Sequence, residues 1–152
     1  MRKITSLCVI FILGIVANMN AQGHACMMLE IPMGEQVNQS TLIVEGEVLS
    51  KYSAWDNNLH NIYTVNEILV HKVFKGTQQG DVISVITRGG QVGDVASEVY
   101  PSLQLGVGQT GVFMLHSDDT NLGTLSPAGV QYKTYAGPQG FYMYDLNTNK
   151  SH

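Results

Sequence analysis

The chain has 152 residues and a formal charge of −4, and its 44% hydrophobic share is that of one globular domain. With 8 Lys+Arg against 12 Asp+Glu it lacks the basic surface that phosphate binding needs, which argues against a nucleic-acid partner. Only 13% of residues are charged and Gly occurs 16 times, a composition that excludes coiled coils and long helical repeats and favours strands and turns.

The first residues set the address. Arg2 and Lys3 precede the apolar run Leu7–Val16, and small residues follow, which is the pattern of a secretory signal peptide. The run is shorter than the roughly 20 residues a membrane-spanning helix needs, so no membrane span is expected. Cleavage after Ala21 gives a signal at 1–21 and Gln22 as first residue. Cleavage after Ala25 gives a signal at 1–25 and Cys26 as first residue. Losing 1–21 removes Arg2, Lys3 and no acid, so the charge moves from −4 to −6. Cys8 lies in the signal, which leaves Cys26 as the single cysteine of the exported chain and no intrachain disulfide. Its thiol is then free, buried or paired with another chain. The expected location is outside the cell, in a periplasm or on a cell surface.

Pro32 followed by Met33–Gln39 reads as one short helical turn. Thr41–Leu49 is a strand by its β-branched content, and Trp55 falls on the loop after it, before the Asp56-Asn57-Asn58 turn. Ile62–Phe74 carries apolar residues on both faces, as a bent strand in a small barrel does. Strands at 82–87, 111–115, 130–135 and 141–144 complete the set, the last two around Gly137-Pro138-Gln139-Gly140. Six strands and one helical turn predict an all-β barrel or sandwich in a single domain at 26–146, with a flexible tail at 147–152. Strands 41–49, 62–74 and 82–87 should be sequential antiparallel neighbours, with Val44, Val48, Ile68, Val70, Val85 and Phe113 inside.

Few residues suggest chemistry. Gly106-Val107-Gly108-Gln109-Thr110-Gly111 matches a dinucleotide fingerprint in letters only: a strand follows it where a helix should, and no acid stands about 20 residues on. Arg88-Gly89-Gly90-Gln91-Val92-Gly93 lacks the Lys-Ser/Thr pair of a phosphate loop. His24, His60, His71, His116 and His152 show no metal-ligand spacing. If Gln22 is a free N-terminus, its amine, two amides and the His24 ring could form a square-planar nitrogen set for Cu(II) or Ni(II); cyclisation of Gln22 would block it. No hydrolase or metalloprotease motif occurs, so neither catalysis nor a cofactor is expected.

One ordered series of segments goes further. Ser40–Ser50 is followed by Ile62-Tyr63-Thr64-Val65, a strand ending in Val73-Phe74-Lys75-Gly76, then Asp81–Thr87, Leu103–Gly108 and Val112–Leu115. Across Cys26–Leu115 this order resembles the netrin-like module of tissue inhibitors of metalloproteinases. It also resembles an amino-terminal module of secreted bacterial proteins, in which a closing segment is similar to Gly137–Tyr142. The signal end Asn20-Ala21-Gln22 is similar to that of exported bacterial proteins. The resemblance implies a small barrel of the oligonucleotide/oligosaccharide-binding (OB) type that binds proteins. Combined with the strand count, the expected fold is all-β, a small five- to six-stranded OB-like barrel with one short helical turn.

In the inhibitors, an N-terminal cysteine presents its α-amine and carbonyl to a protease zinc. Cys26 stands at a similar spacing before the first strand, but Met28 occupies the place of the inhibitors' second cysteine. The leading expectation is therefore a non-catalytic exported module that binds a protein partner through Cys26, Met27, Met28 and Trp55. Metalloprotease inhibition through Cys26 is the second, and an unrecognised secreted enzyme the third.

Overall fold

The computed structural model describes residues 28–118, 130–145 and 150–151. The expected signal peptide, His24, Cys26, Met27 and the tail apart from Lys150 and Ser151 lie outside the described residues. The elements in chain order are helix α1 (Met33–Gln39), β1 (Leu42–Trp55), β2 (Ile62–Lys75), β3 (Val82–Arg88), β4 (Gly90–Val92), β5 (Val95–Ser97), β6 (Thr110–Ser117), β7 (Gln131–Thr134), a 3-10 turn (Gly137–Gly140), β8 (Phe141–Asp145) and β9 (Lys150–Ser151).

The main sheet closes on itself. β1 pairs antiparallel with β2 along one edge and with β6 along the other, β2 pairs with β3, and β6 pairs with β7. A parallel pairing of Ser84 and Val85 with Gln131 and Tyr132 joins β3 to β7 and completes a ring in the order β1-β2-β3-β7-β6-β1. The fold is all-β, and the ring is an OB-like barrel preceded by one short helix. β7 and β8 lie along the same edge of β6. β7 takes Leu115–Ser117 and β8 takes Gly111–Phe113, and between them Tyr135 N–H donates to Met114 O. They form one strand interrupted by the 3-10 turn.

The inside of the ring is filled by Leu42, Val44, Val48, Ile68, Ile83, Val85, Leu103, Leu105, Phe113, Leu115 and Tyr132. Of the six residues expected inside, five are fully buried, and Val70 is half-buried and packs against the cluster. Phe141 stacks on Phe113 with ring centroids 4.4 Å apart, tying β8 to the core. A smaller cluster of Val65 and Ile86, with Tyr52 and Tyr63 against it, extends the apolar interior toward the end of β1.

The sequential antiparallel pairing of the first three strands is as expected, but β1 runs six residues beyond Leu49. Ser50–Trp55 is more polar than the segment before it, yet it pairs residue by residue with Ile62–Glu67, and Trp55 is the last strand residue. The β4–β5 hairpin was also not expected. Gly89 and Gly90 (φ +88° and +139°) carry the chain from β3 into β4, and the reversal falls at Gly93-Asp94, where Val92 pairs with Val95 and Gly93 takes φ +59°.

The Phe74-Lys75-Gly76 turn has a physical basis. Gly76 sits at φ +82°, against the backbone of Thr41 and Leu42, where a side chain would collide. Lys75 Nζ donates to Val37 O and Asn38 O at 2.7 and 3.0 Å, giving the last carbonyls of α1 a cationic partner. The turn thus locks the end of β2 to the helix that precedes β1.

β1 bends through three register irregularities against β2, each of which adds twist. At the bend Gly46 faces Val70 on one side and Gly111 on the other. A Cβ on Gly46 would lie 2.6 Å from Leu69 O and 2.7 Å from Ile68 Cγ2. Gly46→Ala is predicted to destabilise the barrel by about 1–3 kcal/mol, the usual cost of overpacking, read as a lower urea midpoint at unchanged slope.

Candidate functional site

The site grows from the interrupted last strand. Its 3-10 turn carries Gln139 out of the sheet to the segment that enters α1. Ile31 N–H donates to Gln139 Oε1 at 2.8 Å, and Gln139 Nε2 donates to Leu29 O at 2.8 Å. One carboxamide therefore satisfies two backbone groups, as a neighbouring strand's peptide group would. Gly140 holds the turn against Tyr135 O and Met114 O. Gln36, buried within α1, donates through Nε2 to Ile31 O at 2.8 Å and to Tyr142 Oη at 3.1 Å, bracing the same segment from the helix side. Tyr135 Oη adds a bond to Glu35 Oε1 at 3.3 Å.

The held segment is nonetheless exposed. Met28 is 48% and Leu29 79% accessible, and Met33 and Val37, one helical turn apart on α1, are also exposed. A shallow depression of about 370 Å³, bounded by Glu30, Ile31, Met33, Gln36, Gln139, Phe141 and Tyr142, lies beside them. We call this surface the N-terminal edge.

Of the residues singled out from the sequence, Met28 lies on this edge. Cys26 and Met27 immediately precede it, and they, like His24, lie outside the described residues. Trp55 is half-buried and paired with Ile62, at the opposite end of β1 from the strand start that follows α1. Gln139 and Gln36 were missed as structural contacts. Gln139 stood in a noted motif, but its partners are 108 and 110 positions away in the chain, and no local pattern reports such a bond.

The histidines fall in separate places. His60 is in the exposed turn after β1, where its N–H donates to Asp56 Oδ1, and His71 is exposed on β2. Asn61 and His60 bond the Asp56 carboxylate, which lowers its pKa below the ordinary value. His116 on β6 is half-buried, edge-on to Tyr135, and beside Lys133 in the sheet register. Burial, and secondarily Lys133, hold its pKa below the ordinary value, against a smaller opposing pull from Asp118. Among the described residues no group of three or more His, Cys, Asp or Glu side chains is placed to hold a metal ion.

Compared with protein-family models, curated proteins and solved structures, the chain matches none.

Two measurements check this geometry. Gln139→Ala removes both backbone partners and is predicted to cost about 1–2 kcal/mol, with the Ile31 amide losing protection in hydrogen exchange while core amides of β6 keep theirs. The His116 imidazole is disfavoured as a cation in the folded state, so the unfolded chain takes up its proton first on acidification. Stability from this group is complete above the ordinary histidine pKa of about 6.5 and falls as pH drops from there toward the lower folded value. His116→Gln should flatten that decline in thermal melts, and NMR titration of His116 should give a midpoint below the ordinary histidine value of about 6.5.

Proposed function

We propose that the chain is an exported, non-catalytic β-barrel module that binds a protein partner through its N-terminal edge. The observation that carries this reading is the Gln139 clamp on a segment whose apolar side chains face outward. Burying apolar area gains about 25 cal/mol per Å², and a backbone held in place beforehand spares much of the ordering cost of association. Met28, Leu29, Met33 and Val37 offer such area on such a backbone. The resemblance to the netrin-like module, in which small barrels of this type bind proteins, supports the same reading. So does the signal-like start at Arg2–Val16 for the export it requires.

The clamp also favours a second reading, metalloprotease inhibition through Cys26. The inhibitors brace their reactive edge with a second cysteine, where this chain has Met28. Here the Gln139 carboxamide holds Leu29, three residues after Cys26, and is a brace of another chemistry. A neutral Cys26 α-amine and the Cys26 carbonyl could then occupy the open position of a protease zinc.

Two experiments decide. A photoreactive residue at Leu29 should crosslink a specific partner that wild-type protein competes away and the Gln139→Ala variant does not. The same residue at Val95 on the β4–β5 hairpin should give no such product. Equal products at both positions, or equal competition by the variant, would overturn the reading. For the inhibitor, Cys26-first protein should inhibit a metalloprotease and Ala25-extended protein should not, since the extra residue turns the amine into an amide. Equal potency, or no inhibition by either form across a protease panel, would exclude it.

A further inference from the structure

Among the cations whose side chains are described, all but one have a partner. Lys51 Nζ donates to Leu105 O, Lys75 to the end of α1, and Lys133 to Asp118 at 3.1 Å, while Lys72 lies 5.0 Å above the Phe74 ring. Arg88 makes no side-chain hydrogen bond or ion pair among the described residues. In an acidic chain a lone guanidinium stands out, and this one is placed where two cavities meet. A cleft of about 280 Å³ and a second of about 160 Å³ have Arg88 and Tyr63 as common walls.

The backbone that carries Arg88 is fixed. It is the last residue of β3, paired with Tyr63 of β2; its carbonyl accepts from Ser102 Oγ at 2.8 Å, and the next amide, Gly89 N–H, donates to Ile62 O. Tyr63 and Thr134 bring hydroxyls to the larger cleft, while the Thr87 hydroxyl on its wall already donates to Thr64 O. Tyr100, 80% exposed, is next in the chain to the cleft residue Pro101. Arg and Tyr are the side chains that binding hot spots favour.

We infer that the cleft at Arg88 is a binding site for a single carboxylate, held by the Arg88 guanidinium, with the Tyr63 and Thr134 hydroxyls on its walls. The charge count selects this ligand. Lys133 is already paired with Asp118, whose side chain is only 2% exposed, so among the described residues the cleft offers one uncompensated positive charge. A guanidinium fork matches a planar carboxylate with two parallel bonds. A dianionic phosphate would bring a second charge toward Asp118 with nothing to meet it. The volume, at the lower edge of the roughly 300–1,000 Å³ usual for ligand pockets, suits one acidic group and not an extended polyanion. The site is separate from the N-terminal edge and does not depend on its function.

The test is an amide NMR titration of the purified chain with acetate and with an acetylated, amidated Ala-Glu-Ala peptide, each carrying one carboxylate. The Ala-Gln-Ala peptide and inorganic phosphate serve as comparisons. Saturable shifts are expected at Arg88, Gly89 and Ser102 with both carboxylates and none with the Gln peptide. Tighter binding of the Glu peptide assigns the site to acidic residues of a protein, and equal or weaker binding assigns it to a free carboxylic acid. Arg88→Gln, at an exposed position, should leave the thermal midpoint unchanged and weaken binding by about tenfold or more, the loss expected for a charged hydrogen-bond pair; Arg88→Lys should recover part of it. Absence of saturable shifts, equal binding by Arg88→Gln, or tighter binding of phosphate than of either carboxylate would overturn the assignment.

Discussion

The barrel depends on β1 being hydrogen-bonded along both edges at once. Residues 43–47 pair with β2 on one side and β6 on the other, which is possible only where the strand can coil sharply enough to face two neighbours. The register irregularities supply the coil, and Gly46 supplies the space where Leu69 O presses against the strand. Closure in turn removes the free edges of the ring, so the backbone polar groups of β1 find partners while Val44 and Val48 reach full burial. The β3–β7 contact that completes the ring is only two residue pairs long, and the long β1–β2 and β2–β3 pairings carry the rest.

A closed ring leaves little freedom for recognition, and the interruption of the last strand restores some. β7 and β8 share the edge of β6, and the six residues between them leave the sheet without breaking its continuity, because Tyr135 still bonds Met114 O. That excursion delivers Gln139 to the segment before α1 and Gly137 to the wall of the Arg88 cleft. The same short turn thus contributes to both surfaces, on a backbone anchored at either end by strand pairing.

The fold was largely legible in the sequence because the ring strands are dense in β-branched residues and bounded by glycine or polar turns. Met33–Gln39, the starts of β2 and β3, and the core role of Val44, Val48, Ile68, Val85 and Phe113 follow from that local patterning. Ser50–Trp55 was not legible as strand, because a pairing partner at 62–67 overrides its weaker propensity. The site was less legible still. Gln139 acts through bonds to backbone atoms, which select no residue type at the other end, Gln36 through one such bond and one to a tyrosine 106 positions away, and Arg88 is distinguished only by what its neighbours do with their own charges. Met28 was reached through a resemblance, and the structure adds that the residue after it is held.

The clamp has one more consequence, in the dimension of length. Gln139 holds the Leu29 carbonyl, so Leu29 is a fixed point from which the covalent reach of any new terminus is measured. At about 3.3–3.6 Å per extended residue, a chain starting at Cys26 reaches no more than about 10 Å beyond that anchor, and one starting at Gln22 about 25 Å. Of the two cleavage sites expected from the sequence, the choice would therefore set the greatest distance from Leu29 at which a terminal amine could act.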